Sequence, residues 1–392
     1  MIKQIFEIVL LNVRSIPDRL GASLVIVVGI AGVVGVFTAL FAMARGIDST
    51  LIASGDPNNA MVMRGGSQAE LNSSFSRETY ELATTAPGVR LSASGKPLVS
   101  GELIVIAELP KKGEKLGSNV TLRGIGEFGL ELRPSLKIVE GRKFTPGLQE
   151  LLVGKGASVQ FEGLTVGNTI RLRGADWTVV GIFESGDAFE SEIFTDAATA
   201  QTAWGRPNFF NVALAGLTDP GQIEAFRAAL TADPRLNVEV RNQREYYTAQ
   251  TGQTSRGVKV LGTAVAIIMA LGAIFAALNT MYASVSARTR EIATLRAIGF
   301  SGFPVVASVM VEAMLLALIG GVIGAILAYV FFNGMTVSTL GGGFTQLVFN
   351  FRVTPELVVF GMLLAMLIGF IGGLMPAIRA ARMQVTTALR AA

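Results

Sequence analysis

Four long runs with almost no charged residues constrain the fold of this 392-residue chain more than any other feature. Three runs contain no Asp, Glu, Lys or Arg, and the other contains only Glu312. The runs cover residues 20–44, 260–287, 303–332 and 357–378. A helix needs about 20 apolar residues to cross a bilayer, and each run is long enough. We therefore predict a membrane protein with four spanning helices; the alternative for any single run is a buried helix of a soluble core.

The Lys and Arg residues in the short segments beside these runs predict the orientation. The first 19 residues, the segment after the second run and the tail are basic, whereas the connector 333–354 contains only Arg352. The basic residues are Lys3, Arg14, Arg19, Arg288, Arg290, Arg296, Arg379, Arg382 and Arg390. Because such residues favour the cytoplasmic side, both termini are predicted in the cytoplasm and the long segment after the first run outside.

A cleaved signal peptide is the alternative interpretation of the first run, because Ala42-Met43-Ala44 resembles a cleavage site. The apolar run and the region before it are both longer than a signal peptide uses. We therefore expect the first run to stay as a membrane anchor. The preceding residues, 1–19, place Ile2, Ile5, Phe6 and Val9 at helical spacing, which predicts an amphipathic helix on the inner leaflet or an extension of the first span.

The absence of cysteine and histidine excludes several kinds of chemistry. Disulfides, thiolate metal sites and imidazole general bases are not available to this chain. The sequence also contains no Gly-x-x-x-x-Gly-Lys-Ser/Thr phosphate loop, and no catalytic, cofactor or metal motif is evident. The net charge of +4 comes from basic residues at the membrane flanks or scattered elsewhere, so nucleic acid is not an expected partner. Any nucleotide hydrolysis is predicted to come from another chain.

About 210 residues between the first two runs begin and end with a strand–helix–strand pattern. The first copy covers strand 60–63, helix 76–84 and strand 98–107; the second covers strand 209–217, helix 219–230 and strand 238–241. Asp219 followed by Pro220 is a typical helix start. The expected fold class is thus a membrane α-helical protein, with spans arranged one plus three, and a large α+β outer domain built from a ferredoxin-like βαβ pair and a β-rich insertion.

The insertion, at about residues 110–205, is predicted to be a second small subdomain. Its expected strands cover residues 120–125, 151–153, 169–173 and 177–183. Asp187 and Glu190–Glu192 form an acidic cluster, interpreted as a solvated loop, with a partner or cation contact as the alternative. The polar segment 242–259 is predicted to be a helix that continues into the second span as a rigid stalk.

The short stretch 286–301 is unusually charged for a turn between two spans. It contains Arg288, Arg290, Glu291 and Arg296, and a turn that only reverses direction does not need this pattern. We interpret it as a segment that presents a helix to a soluble partner. The alternative is that its arginines only mark the cytoplasmic side.

Two features inside the spans suggest close helix packing. Glu312 is interpreted as a structural hydrogen-bonding group, with proton coupling as the alternative. Small residues recur every fourth position, which lets helix backbones approach closely. The residues are Ala31, Gly35 and Ala39; Ala313, Ala317, Gly321 and Ala325; and Gly361, Ala365, Gly369 and Gly373.

Several short motifs together indicate one family of membrane proteins. They are Arg288-Thr289-Arg290-Glu291-Ile292, Leu295-Arg296-Ala297-Ile298-Gly299, Glu312 with Gly320, Gly321 and Gly324, Pro376-Ala377-Ile378-Arg379-Ala380-Ala381-Arg382, Ala388-Leu389-Arg390, Glu140-Gly141-Arg142, Val166-Gly167 and Thr178-Val179-Val180-Gly181. Their order resembles the MacB/FtsX-like permeases of ABC transporters, over nearly the whole chain. One departure is Ala287, where many members carry an acidic residue.

The resemblance implies a bacterial inner-membrane permease without catalytic activity of its own. It would form a dimer with a second copy or a close paralogue, and separate ATPase subunits would bind ATP and Mg²⁺. ATP binding would push on Arg288, Arg290, Glu291 and Arg296, and the motion would reach the periplasmic domain to export a substrate. A periplasmic adaptor of the membrane-fusion type is an expected partner. FtsX-like signalling to a cell-wall hydrolase and lipoprotein release remain alternatives.

The predicted segments follow from this topology. They are a cytoplasmic amphipathic helix (1–19), a first span (20–44), a periplasmic core (45–256), a second span with stalk (257–287), a coupling segment (288–302), a third span (303–334), a periplasmic connector (335–354), a fourth span (355–378) and a cytoplasmic tail (379–392).

Overall fold

The structure, a computed structural model, describes residues 20–114, 116–233, 236–340 and 346–384. The predicted amphipathic helix 1–19 and Arg390 lie outside the described residues. The helices are α1 (Leu20–Ala53), α2 (Arg77–Thr85), α3 (Lys155–Gln160), α4 (Ala197–Ala203), α5 (Ile223–Thr231), α6 (Gln243–Ala287), α7 (Thr289–Ala297), α8 (Gly302–Phe332) and α9 (Pro355–Arg382).

The strands lie mostly between α1 and α6. They are β1 (Asn59–Arg64), β2 (Phe75–Ser76), β3 (Val99–Pro110), β4 (Gly117–Ile125), β5 (Lys137–Gly141), β6 (Glu150–Gly154), β7 (Thr169–Leu172), β8 (Ala175–Glu184), β9 (Glu192–Asp196), β10 (Phe209–Phe210), β11 (Val212–Gly216), β12 (Val238–Asn242), β13 (Thr336–Leu340) and β14 (Gln346–Asn350). Short 3₁₀ helices cover Glu70–Asn72, Ala188–Ser191 and Pro220–Gln222.

The chain divides into two compact units. One, here called the membrane unit, comprises the described residues of 1–45, 257–335 and 351–392. The other, the outer unit, comprises residues 46–256 together with the β13–β14 hairpin, 336–350. The predicted fold class is confirmed, because α1, α6, α8 and α9 are long and apolar enough to span a membrane and the outer unit is a mixed α and β structure. Helix α1 continues to Ala53, beyond the predicted end of the span at residue 44.

Close backbone approach characterises the packing of α8 against α9 in the membrane unit. A methyl group placed on Gly369 would lie 2.5 Å from Cβ of Ala317, and one on Gly373 would lie 2.6 Å from Cβ of Ala313. A methyl group on Gly321 would lie 2.9 Å from Cβ of Ala365. Since these distances leave no room for a side chain, glycine is what allows the two helices to come so close.

Helix α1 packs against α8 in the same manner. A methyl group on Gly324 would lie 2.5 Å from the carbonyl oxygen of Ala31, whereas one on Gly35 would lie 3.6 Å from the carbonyl oxygen of Gly324. The contact at Gly35 is thus an ordinary van der Waals distance, and Gly324 makes the tighter approach. The buried side chains around these contacts include Ile30, Val34 and Ala317.

The two ends of the outer-unit sequence, before and after the insertion, together form the predicted ferredoxin-like layer. Strands β12, β1, β11 and β3 lie in this order, and each pair of neighbours is antiparallel. Ala83 of α2 and Phe226 and Leu230 of α5 are buried with the apolar side chains of this sheet. The Asp219 side chain accepts a hydrogen bond from the Gly221 nitrogen at the start of the second helical segment, as its position before Pro220 predicts.

The insertion continues the same sheet instead of forming a separate one. Residues Val99–Glu102 of β3 pair with β11, and the rest of β3 pairs with β4, after which the order is β9, β6, β8 and β5. The insertion has its own apolar core, which includes Phe161 and Trp177. The prediction missed β5 and β9. Strand β5 is exposed along its whole length, and β9 begins within the acidic cluster, so neither shows the alternation of a half-buried strand.

Two segments tie further parts of the chain into the outer unit. The segment 335–354 was predicted only as a connector, with no secondary structure assigned. It contains the β13–β14 hairpin, and the Val348 nitrogen donates a hydrogen bond to Oγ of Ser191 at 2.7 Å. Residues 243–256 at the start of α6 also belong to the outer unit. This part of the predicted stalk contains the buried side chains of Tyr246 and Tyr247.

Candidate coupling site

The charged stretch between the second and third spans forms the short helix α7. Its end is set by Gly299, which adopts the left-handed conformation with φ of 102°. The Phe300 nitrogen donates to the carbonyl oxygen of Leu295 and the Gly299 nitrogen donates to that of Arg296, both at 3.2 Å. These two hydrogen bonds form a Schellman cap, in which glycine avoids the cost of a positive φ. The sequence therefore holds α7 to a defined length.

The beginning of α7 is held by a buried ion pair. Arg288 precedes the helix, and its Nη2 lies 3.1 Å from Oε1 of Glu312 in α8. Both side chains are only 5% exposed. An ionised side chain within a span is costly unless it has a partner, so the pairing explains how Glu312 is tolerated. The ion pair with Arg288 agrees with the interpretation of Glu312 as a structural hydrogen-bonding group. The Arg288 side chain faces the protein interior.

The end of α7 is held by a second arginine. Nη1 of Arg296 donates to the carbonyl oxygens of Ala381 and Met383, at 2.7 and 2.8 Å. These carbonyls belong to the last turn of α9 and the residue after it, where helices leave acceptors without intrahelical partners. Arg288 and Arg296 therefore attach the two ends of α7 to α8 and α9.

The remaining predicted coupling residues lie on the opposite face of α7. Arg290 and Glu291 are exposed, and so are Thr294 and Ala297, whereas Ile292 and Ala293 are buried. The exposed positions follow the spacing of one helical face. Ile298, 68% exposed, and Phe303, 61% exposed, add apolar surface at its end. We call Arg290, Glu291, Thr294, Ala297 and Ile298 the coupling face. From the sequence, all four charged residues were predicted to contact an ATPase. In the structure, Arg288 and Arg296 attach α7 to neighbouring helices, whereas Arg290 and Glu291 are exposed on its surface.

The acidic cluster in the insertion is not the solvated loop that was predicted. Asp187 is buried, and its carboxylate accepts a hydrogen bond from the Phe189 nitrogen at 2.9 Å; burial raises the pKa of Asp187. Glu190 accepts hydrogen bonds from the nitrogens of Ser185 and Gly186, and Glu192 lies in β9 and pairs with Arg123. The carboxylates of this cluster therefore have structural roles. Asp187 and Glu190 accept hydrogen bonds from nearby backbone nitrogens, and Glu192 forms an ion pair inside the unit.

A cleft of about 540 Å³ lies in the outer unit beside this cluster. Helix α3, the segment around Gly186 and the β13–β14 hairpin form its walls. Its carboxylates already have partners, since Glu184 pairs with Lys155 and Glu190 accepts backbone hydrogen bonds. Within the four described ranges, no group of three or more Asp, Glu, His or Cys residues could hold a metal ion.

Comparison with known proteins identifies two domains in the chain. Residues 20–233 match the MacB-like periplasmic core domain, and residues 263–385 match the FtsX-like permease C-terminal domain. The first match covers more than half of the chain and the second includes α7 with both residues that attach it.

Individual relatives are distant. The chain is 25% identical over 291 residues to the uncharacterized ABC transporter permease YknZ of Bacillus subtilis, and the aligned region covers 70% of each protein. It is 24% identical over 404 residues to the macrolide export ATP-binding/permease protein MacB of Agrobacterium fabrum, covering 96% of this chain and 58% of that protein. The crystal structure of the extracellular domain of YknZ is matched with a TM-score of 0.37 and 19% identity, covering 47% of this chain and all of that domain.

Proposed function

Because the chain belongs to the ABC transporter permeases with a MacB-like periplasmic core domain and an FtsX-like C-terminal domain, we propose that it is the membrane subunit of a bacterial ATP-driven exporter. A separate ATPase would bind ATP and Mg²⁺ and push on the coupling face. The motion would pass along α1 and α6, each of which continues from the membrane unit into the outer unit. The chain itself would carry out no catalysis.

The observation that carries this proposal is the construction of α7. A helix held at one end by Arg288 and at the other by Arg296 transmits force better than a loop, because neither end moves without α8 and α9. Its presented face combines opposite charges with an exposed apolar side chain at Ile298, which is the mixture found in protein interfaces. The arginines alone would be enough to fix the orientation of the chain in the membrane, because acidic residues contribute little to it. The exposed Glu291 is therefore the residue best explained by contact with a partner.

The membrane arrangement is part of the proposal. Both termini and α7 would lie in the cytoplasm of a bacterial cell, with the outer unit on the other side of the cytoplasmic membrane. A second permease copy and an adaptor of the membrane-fusion type would complete the exporter. Since several relatives are named for macrolide export, a macrolide is the first substrate to test.

Site-specific photocrosslinking tests the partner. A photoreactive amino acid at position 291 in the full chain, in native membranes, should crosslink to an ATPase that contains the phosphate loop missing here. The same label at position 162, an exposed glutamate of the outer unit, should not. An ATPase captured equally from both positions, or from neither, would contradict the proposed docking of α7.

Transport is tested with a matched pair of charge reversals. Glu291→Lys should abolish most ATP-dependent uptake of a macrolide into inside-out vesicles, whereas Glu162→Lys should leave uptake unchanged. The amount of folded protein is checked by fluorescence of the two tryptophans, both of which lie in the insertion. Equal uptake by both variants would contradict the coupling role of Glu291.

A further inference from the structure

A network of buried charges lies where the ferredoxin-like half of the outer unit meets the insertion. Its centre is Arg123 of β4, whose side chain is 3% exposed. Arg123 donates from Nε and Nη2 to the carboxylate of Glu192 in β9, at 2.6 and 2.9 Å. It also contacts Glu70 at 2.7 Å and Glu102 at 3.0 Å. One arginine therefore binds carboxylates from three different elements.

A second arginine completes the charge pairing. Arg133, in the segment after β4, donates from Nη1 and Nη2 to the carboxylate of Glu102 at 2.7 and 2.8 Å. Its guanidinium lies over the ring of Phe189, 4.6 Å from the centroid. Glu102 is fully buried; burial opposes its ionisation, but Arg133 and Arg123 outweigh burial and its pKa lies below the ordinary value.

The place of Glu102 in the sheet is informative. It is the last residue of β3 that pairs with β11, opposite Val212, and the next residue, Leu103, is the first that pairs with β4, opposite Gly124. The network therefore surrounds the point at which the single sheet passes from one half of the outer unit to the other.

The stalk enters this network through two neighbouring tyrosines of α6. Oη of Tyr247 donates to Oε1 of Glu70 at 2.9 Å, and Oη of Tyr246 accepts from the Glu70 nitrogen at 3.0 Å. The ring of Tyr247 also meets that of Phe189 edge to face, with centroids 6.0 Å apart. Glu70 thus links α6 directly to Arg123 of the insertion.

Stability alone does not account for this arrangement. Removing several charged groups from water is costly, and well-packed apolar residues in their place are often as stable or more stable. What a fully satisfied polar network adds is geometry, because each donor must meet its acceptor within a narrow range of distance and angle. An apolar junction would tolerate sliding more readily than a junction held by directional hydrogen bonds.

We infer that the network is a positioning site that makes the base of the α6 stalk and both halves of the outer unit move as one rigid body, with Tyr247 as the residue that attaches the stalk. The use of this rigidity, to deliver the motion of the stalk to the insertion, rests on the proposed function. The rigidity itself does not, and it can be measured without ATP.

The absence of cysteine from the sequence allows a direct test in the full chain in lipid nanodiscs. Spin labels are attached at Glu245→Cys in α6 and Asp176→Cys in β8, both exposed positions, and their distance distribution is recorded without nucleotide. The parent should give one narrow distribution. Tyr247→Phe and Glu70→Gln should lose that single maximum, while the controls Tyr80→Phe and Glu150→Gln, outside the network, should retain it.

Thermal unfolding followed by tryptophan fluorescence separates positioning from general stability, because both tryptophans belong to the insertion. The inference expects Tyr247→Phe to broaden the distribution at temperatures where the insertion of the variant is still folded. A narrow, parent-like distribution in both Tyr247→Phe and Glu70→Gln would overturn it. Failure of the exporter proposal would appear elsewhere, as absent ATPase crosslinking or transport in the parent.

Discussion

The membrane unit and the outer unit use buried charge in different amounts. Among the described residues of the membrane unit, the ion pair Arg288–Glu312 anchors a short helix, and the long helices meet through small residues such as Gly369 and Ala317. In the outer unit, five charged side chains gather at one junction. The units therefore solve the same problem, fixing the angle between elements, by close backbone contact in one case and by directional hydrogen bonds in the other.

The difference has a physical reason. Between helices in lipid there is little hydrophobic driving force, so close van der Waals contact between small residues sets the geometry, and every additional charge is expensive. The outer unit is surrounded by water, and the burial of its two apolar cores stabilises it. It can therefore carry the cost of a charged junction between those cores.

The largest expected effect comes from breaking the outer network at its centre. Arg123→Leu leaves the carboxylates of Glu70, Glu102 and Glu192 with one arginine, and removal of one partner from a buried ion pair costs about 3–5 kcal/mol. The unfolding temperature measured by tryptophan fluorescence should fall steeply. Arg142→Leu, which removes an arginine that is 56% exposed, is the control and should have a much smaller effect. Equal unfolding temperatures would show that the network is not required for the fold of the insertion.

The corresponding change in the membrane unit is Glu312→Leu. It leaves Arg288 buried without that carboxylate, and losing a hydrogen bond to a charged group costs about 1.5–3 kcal/mol. Hydrogen exchange of the α7 amides in the full chain should accelerate. The double variant Arg288→Met/Glu312→Leu should recover much of the protection, since an apolar pair can replace a buried ion pair. Unchanged exchange in Glu312→Leu would mean that the Arg288–Glu312 ion pair does not hold the start of α7.

Helix packing in the membrane unit is tested by Gly369→Ala. The added methyl group would lie 2.5 Å from Cβ of Ala317, and overpacking of this kind costs about 1–3 kcal/mol. Resistance of the full chain to unfolding by dodecyl sulfate should decrease, and Ala317→Gly in the same chain should restore it. Gly272→Ala, where nothing lies within 4 Å of the added carbon among the described residues, is the matched control. Equal resistance of the two alanine variants would contradict the packing account.

The smallest effect concerns the partly exposed ion pair Arg142–Glu150 of the insertion. Hydrogen bonds from Arg142 lower the pKa of Glu150 from 4.5 to about 2. A folded-state pKa below the unfolded value means that the stabilisation is complete above pH 4.5 and is lost as the pH falls toward 2. Glu150→Gln should therefore lower the unfolding temperature slightly at neutral pH, and the difference from the parent should shrink below pH 4.5. A difference that is constant across this range would contradict the assigned pKa.

The secondary structure was predictable wherever one pattern dominated. The spans were evident from length and absence of charge, and the ferredoxin-like half from two strand–helix–strand repeats. Strands β5 and β9 were missed because neither has an alternating apolar face. The β13–β14 hairpin was not predicted for a related reason, since the burial of β14 depends on contacts with distant residues of the same unit, such as that of Val348 with Ser191.

The sequence by itself determined the membrane class and the family. For a partner-binding segment, it narrowed the choice to a stretch with four charged residues. Periodicity and composition are local properties, so they survive without knowledge of the fold. The tertiary structure alone decided that Arg288 and Arg296 point inward while Arg290 and Glu291 are presented, and that Glu70, Glu102 and Glu192 share one arginine. These side chains are tens of residues apart, and ion pairing at such separations depends on which elements the fold brings together.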